Sequence, residues 1–224
     1  MFKFHNDFNR FFMIAPAPKN AHKNTLVIAT HNPGKVKEFA ALFQAKQGLK
    51  LVAASTLGLS EPDETGTSFS ENARLKATLA AAASNLPCLG DDSGLSVDAL
   101  NGDPGIYSAR WAGKEKDFYV AMKKIEDLLL ERTGTLLGHR AKFVAALALA
   151  LPNGDVIETE GKSEGTLTFP PRGEKGFGYD PIFVPDGFTH TYAEMEPSEK
   201  ERLSHRTRAF DLLRQKTRDF AILS

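Results

Sequence analysis

The sequence predicts an α/β protein built on a mixed sheet. Short apolar runs alternate with segments of helical period through the first part of the chain, and strand-like stretches cluster in its middle. With 224 residues the chain is long enough to bury a sizeable core without disulfides or metals, as one domain with room for two lobes.

Residues 1–24 hold five Phe and four basic residues against one acid, without the continuous apolar run of a signal peptide. They read as a tail, helical in part around Phe8 to Met13, with residues 25–224 as the single domain. A targeting segment, or translation starting at Met13, are the other readings. Leu26–Ala29 is a short apolar strand. Val36, Phe39, Ala40 and Phe43 then recur at i, i+3, i+4 and i+7, one face of a helix. Leu49–Ser55 reads as a second strand. The polar loop "EPDETGTSFSEN" hands over to a helix near Ser68, with Glu71 placed for a capping box. "ENARLKATLAAAASN" is helical by its Ala content.

"LPCLGDDSGLSVDALNGDPG" reads as a strand, an acidic turn, a second short strand and a Gly/Pro loop. A helix follows at about residues 117–131. "KFVAALALAL" is a buried strand, closed by a turn at Pro152-Asn153-Gly154, and "DVIETEGKSEGTLTF" supplies further strand with alternating stretches. The last third is a Gly-rich loop, "RGEKGFGYDPIFVP", then a polar link. A final helix starts near Ser204, with Ala209, Leu212, Leu213 and Phe220 as its apolar stripe. There is no internal repeat and no low-complexity block.

Basic and acidic residues balance at 28 each, which speaks against a broad nucleic-acid surface but allows a local basic pocket. Cys88 is the only cysteine, so no internal disulfide can form. It reads as a buried small hydrophobe in a reducing, cytoplasmic setting. No apolar run reaches membrane-spanning length, so no membrane partner is expected.

Four constellations carry chemistry. Thr30-His31-Asn32-Pro33-Gly34-Lys35 leaves an apolar strand and enters a helix N-terminus, where the dipole favours anions and Lys35 adds a point charge. It lacks the spacing of a Walker loop, and a plain structural turn remains open. Asp91-Asp92-Ser93 follows the apolar "LPCLG"; one carboxylate is expected to face a cleft and the other to hold the turn. With Glu64 the acids suit Mg²⁺ held together with phosphates; solvated turn acids are the plainer reading. "GFGYDP" offers the Phe177 and Tyr179 rings beside the Asp180 carboxylate, suited to stacking a planar base, with core packing as the alternative. In "SEKERLSHR", Ser204 is an N-cap that places His205 and Arg206 against the helix dipole, which makes sense above an anion or a carbonyl-rich ligand. Lys200 adds a donor one turn earlier. Lys76 reaches a phosphate or is a solvated helix lysine.

Together the stretches "THNPGK", "ETGTSFSENARLKA", "DDSGLSVDALNGDPGIYSARWAG", "GFGYDPIF" and "SEKERLSHR" resemble the inosine triphosphate pyrophosphatase family, in its order and spacing over about residues 25–220. The resemblance implies a long mixed sheet flanked by helices, two lobes with a central nucleotide-binding cleft, and a homodimer. It implies Mg²⁺-dependent hydrolysis of XTP, ITP and dITP to the monophosphate and pyrophosphate. Carried over, residues 30–35 and Lys76 hold the triphosphate, Glu64 and Asp92 serve the metal, and Asp92 is the base for water. Ser93 touches substrate; Phe177, Gly178, Tyr179, Asp180, Lys200, His205 and Arg206 surround the base. Thr207 stands where many relatives carry Gly. A pyrophosphatase for modified pyrimidine or methylated nucleotides, and a nucleotide sensor without turnover, are the competing readings.

Overall fold

The computed structural model describes residues 24–44 and 48–217. The tail reading for residues 1–23, and Phe220 of the last apolar stripe, lie outside them. No helix among the described residues is long and apolar enough to cross a membrane.

The chain opens with strand β1 (Thr25–Ala29), helix α1 (Pro33–Leu42) and strand β2 (Lys50–Ala53), then helix α2 (Phe69–Ser84) and strand β3 (Cys88–Val97). Short helix α3 (Ser108–Trp111) and helix α4 (Phe118–Thr133) lead to long strands β4 (Arg140–Ala150) and β5 (Val156–Leu167). Strand β6 (Phe183–Pro185) and helices α5 (Pro197–Leu203) and α6 (His205–Lys216) complete the described chain. Among the described residues the sheet has six strands in the order β2-β1-β3-β4-β5-β6. β1 pairs parallel with β2 and β3, and all later pairs are antiparallel. This is the mixed α/β sheet that the alternation of elements predicts.

Local chemistry sets the helix starts. Asn32 caps α1, Ser68 caps α2, Asp117 caps α4 and Ser204 caps α6, each by a side-chain oxygen accepting from a first-turn N–H. Such a cap stabilises by about 1 kcal/mol. The box at α2 closes one residue earlier than expected: Glu71 Oε2 accepts from Thr67 N at 2.6 Å and Thr67 Oγ1 at 2.9 Å.

α1 and α6 cover one face of the sheet. Phe39, Phe43, Phe210 and Leu213 pack there on Leu26, Ile28, Leu89 and Leu147, with the Phe43 and Phe210 rings 4.7 Å apart. α2 covers the other face through Ala73, Ala77, Ala80 and Ala81, against Val27, Cys88, Ala146 and Ala148. The contact is backbone-close: a Cβ at Gly90 would lie 2.2 Å from the Ala73 carbonyl oxygen. Small residues on both sides let α2 bring its polar positions, Asn72 and Lys76, down onto β3.

Several expectations are corrected. Asp91 and Asp92 are not in a turn. They lie inside one continuous ten-residue strand, paired with Leu147 and Ala146 of β4. Each carboxylate meets a buried cation there, so the strand need not stop. The polar link before the last helix contains α5. On α1 Ala40 is exposed, so the apolar face narrows to Phe39 and Phe43. On α6 Leu212 is 43% exposed and Phe210 takes its place in the core.

Candidate active site

The connection from β1 through α1 places β2 on one side of β1, and the connection from β2 through α2 crosses back to place β3 on its other side. Such a switch point opens a crevice at the carboxyl ends of parallel strands. β1 pairs with β3 over Cys88–Gly90 and then turns into Thr30–Asn32, while β3 continues as far as Val97. A cavity of about 140 Å³ opens beside this stretch, lined by Thr30, Asn32, Lys35, Glu64, Lys76, Asp92 and Ser93.

Asp92 faces α2. Its Oδ1 lies 2.8 Å from Lys76 Nζ, and its Oδ2 accepts from Asn72 Nδ2 at 3.3 Å. Lys76 Nζ also lies 2.5 Å from Glu64 Oε1, so two carboxylates converge on one ammonium. The Glu64 loop is tied at two points: Arg110 Nη2 donates to Glu64 O and Gly66 N donates to Asn72 Oδ1, both at 2.8 Å. Burial lifts the Asp92 pKa above the usual carboxylate range, only partly offset by Lys76 and Lys35. Burial would also raise Glu64, but Lys76 outweighs it and holds Glu64 low.

Asp91 faces α1 and α6. Arg206 Nε donates to its Oδ2 at 2.9 Å, and Lys35 Nζ pairs with its Oδ1. Burial opposes the charge on Asp91, yet Arg206 and Lys35 hold the carboxyl well below the usual range. Arg206 also donates to Ser93 Oγ at 2.9 Å and pairs with Glu38. Lys200 lies 3.2 Å from Glu38 Oε1 and 2.7 Å from Asp180 Oδ2, which in turn accepts from Phe177 N at 2.8 Å. An alternating chain of buried charges therefore runs Asp180, Lys200, Glu38, Arg206, Asp91, Lys35. It explains the basic start of α6: Arg206 opposes the dipole, but Asp91 and Glu38 more than compensate.

His205 stacks on Phe143, with ring centroids 4.9 Å apart and planes at 13°. Its Nδ1 is buried without a hydrogen-bond partner among the described residues. Burial, with Arg206 and Lys200 nearby, keeps the ring neutral to well below the ordinary histidine pKa.

Other expected site residues also hold the cleft in shape. Asn32 Oδ1 accepts from Gly34 N at 2.8 Å and Lys35 N at 3.3 Å, and Val36 N donates to Asn32 O. With Pro33 carrying no N–H, the first-turn donors of α1 are engaged by Asn32 itself, so the anion-binding capacity expected of this helix end resides in Lys35. Thr30 Oγ1 accepts from Asn32 N at 3.2 Å, and His31 Nε2 lies 2.9 Å from Leu59 O, which pins the turn. Gly34 lets the Phe177 ring lie close, since a Cβ would come within 3.1 Å of it. Lys200 Nζ lies 4.7 Å from the centroid of the same ring. Gly178 takes a left-handed φ of 69° and turns the loop. Tyr179 is buried in the core, and its hydroxyl donates to Ser108 O at 2.8 Å.

Phe177, Lys200 and Arg206 also border a second cavity of about 450 Å³, whose further lining includes Glu38, Ala41, Tyr192 and Ser204. Sequence reasoning missed Glu38, Asn72 and Arg110. Two signals were present: Glu38 lies one turn after Lys35 on α1, and Asn72 lies one turn before Lys76 on α2.

Among the described residues no cluster of three or more His, Cys, Asp or Glu side chains is placed to hold a metal. Two carboxylates converging on a single cation position fit Mg²⁺ completed by phosphate oxygens rather than a closed protein cage.

Fold and cleft together define an α/β protein with a cleft of paired acids and lysines beside an aromatic, basic wall. The chain belongs to the Ham1 family, whose sequence profile matches residues 26–216. It is 57% identical over 194 residues to the dITP/XTP pyrophosphatase of Rhodospirillum centenum, covering 87% of this chain and 95% of that one. The dITP/XTP pyrophosphatase of Caulobacter vibrioides is 57% identical over 189 residues, 84% of this chain and 95% of the relative. A HAM1 protein structure from Coxiella burnetii superposes with a TM-score of 0.79 at 34% identity, covering 88% of this chain and all of that one. The dITP/XTP pyrophosphatase structure from Mycobacterium abscessus gives 0.67 at 40% identity, covering 84% and 98%.

Proposed function

We propose that this protein is a Mg²⁺-dependent pyrophosphohydrolase that converts XTP, ITP and dITP to the monophosphate and pyrophosphate. The observation that carries the reading is the convergence of Glu64 and Asp92 on Lys76, in the same cavity as Lys35. The names of the relatives support it.

In the resting cleft Lys35 and Lys76 are each held by a carboxylate. A triphosphate replaces those partners: Lys35 and Lys76 neutralise and align it, and Ser93 contacts it. Glu64 and Asp92 would hold Mg²⁺, which would supply further charge neutralisation there. Asp92, whose pKa burial raises, accepts the proton of the attacking water. Attack at the α-phosphorus expels pyrophosphate, whose charge Lys35 stabilises. The rate gain comes from positioning and electrostatics in a site formed before substrate arrives.

The purine lies against Phe177 and Lys200. Hypoxanthine and xanthine carry an acceptor at C6, where adenine carries an amino group. Arg206 has its donors engaged by Asp91, Glu38 and Ser93. The unpartnered, neutral His205 is left to read that edge, and a buried polar mismatch rejects adenine strongly. The proposal includes a homodimer, which sedimentation checks.

The test is incubation with ITP, XTP, dITP, GTP and ATP, with and without Mg²⁺, and chromatography of the products. IMP, XMP or dIMP with pyrophosphate, only with Mg²⁺ and with little from ATP or GTP, is the expected result. Absence of turnover, or release of orthophosphate instead, overturns the proposal.

A further inference from the structure

We propose that Lys116 is an additional phosphate-binding residue, one that engages the outer end of a triphosphate; this rests on the triphosphate reading of the cleft. Lys116 lies in the loop between α3 and α4 and is among the residues lining the same cavity as Lys35, Glu64, Lys76 and Asp92.

Its electrostatic situation differs from that of the other cations there. Lys35 pairs with Asp91, Lys76 with Glu64 and Asp92, Lys200 with Asp180 and Glu38, and Arg206 with Asp91 and Glu38. Among the described residues Lys116 enters no ion pair. A polyphosphate reaching the other cations must displace or share a carboxylate. At Lys116 it meets a positive charge without that competition, at the exposed mouth of the cavity. Exposure places it away from buried Asp92, where the reacting phosphorus belongs, and toward the phosphates that leave.

The backbone supports a positioned side chain. Lys116 has φ 55°, a left-handed conformation that residues with a Cβ rarely adopt. The loop is closed by Lys116 N donating to Gly113 O at 3.2 Å and Asp117 N donating to Ala112 O at 2.9 Å. Asp117 then caps α4 through Tyr119 N at 2.9 Å. The unfavourable φ is thus imposed from both sides, and it fixes where the lysine leaves the main chain.

The experiment compares the full-length protein with Lys116→Gln and Lys116→Arg. ITP kinetics are measured, and inorganic tripolyphosphate and pyrophosphate are titrated by calorimetry. Lys116→Gln is expected to raise the KM for ITP by about fivefold and to weaken tripolyphosphate binding similarly, as loss of one partly screened ion pair does. Pyrophosphate, the departing outer end of the triphosphate, is expected to lose affinity similarly, kcat changes less than about twofold, and Lys116→Arg restores the wild-type values. An unchanged KM and tripolyphosphate affinity overturns the inference, as does a loss for tripolyphosphate with none for pyrophosphate. If the wild-type protein does not hydrolyse ITP, the functional reading fails, and the tripolyphosphate comparison alone still decides whether Lys116 binds phosphate.

Discussion

Asp91 and Asp92 are neighbours on β3, yet they serve opposite faces of the strand and are driven in opposite electrostatic directions. Asp91 is fully buried between Arg206 and Lys35, which hold it ionised far below the usual range. Asp92 meets Lys76 and Asn72 on the other face, and burial raises its pKa. Adjacent carboxylates with divergent acidities divide the work. Asp91 ties α6 and α1 through Arg206 and Lys35, and Asp92 is the base of the proposed mechanism.

Asp92→Asn should therefore remove turnover while the fold survives. Lys76 keeps Glu64 at 2.5 Å, so no buried ammonium is left without a carboxylate. Turnover of ITP should fall by about 10²–10⁴-fold, the range for loss of a general base. Pyrophosphate release and a thermal melt, measured side by side, check this. Activity within a factor of two of wild type would remove Asp92 from the role of base.

Arg206→Ala should act first on stability. Arg206 is 1% exposed and its removal strands Asp91, itself 0% exposed, with Lys35 as its remaining cation. Breaking a buried pair from one side costs about 3–5 kcal/mol. Urea unfolding measures it directly. A loss under about 1 kcal/mol would show that the charge chain contributes little.

The readable parts of the sequence were those whose cause is local. The caps Ser68 and Ser204, the Ala-rich helix α2 and the apolar strand β4 each follow from residues a few positions apart. The paired aspartates resisted such reading. Two acids in a row look like a turn until Arg206, 115 residues downstream of Asp91, and Lys76, 16 residues upstream of Asp92, are brought against them. Glu38 was less legible still, because its partners Lys200 and Arg206 lie 162 and 168 residues away. Arg206 read as a free donor for the same reason.

Gly66→Ala should disturb metal binding more than folding. A Cβ there would fall 2.6 Å from Asn72 Oδ1 and 2.7 Å from Glu71 Cβ, so the loop carrying Glu64 must move. Asn72 would then lose the Gly66 N–H while still donating to Asp92. Outer-shell losses of this kind weaken metal affinity by about 10-fold or more. The Mg²⁺ concentration for half-maximal activity should rise accordingly, with a matching loss in calorimetric Mg²⁺ binding and a nearly unchanged melting temperature. Unaltered Mg²⁺ dependence would show that the Glu64 loop is not positioned through Gly66.

His205 should make the protein acid-sensitive in a window that carboxylates do not explain. Burial lowers its pKa most, and Arg206, Lys200 and Lys35 push the same way against the single opposing charge of Asp91. The folded state thus holds the ring neutral, while the unfolded chain protonates it below about pH 6.5. As pH falls through that value the unfolded state binds a proton that the folded state refuses, and stability declines by up to about 1.4 kcal/mol per pH unit. In His205→Gln this component disappears. Urea unfolding at pH 7, 6 and 5 should show a shallower decline for the variant than for wild type. Parallel curves would mean that the folded protein accommodates a charged His205, and the neutral imidazole assigned to reading the purine edge would lose its basis.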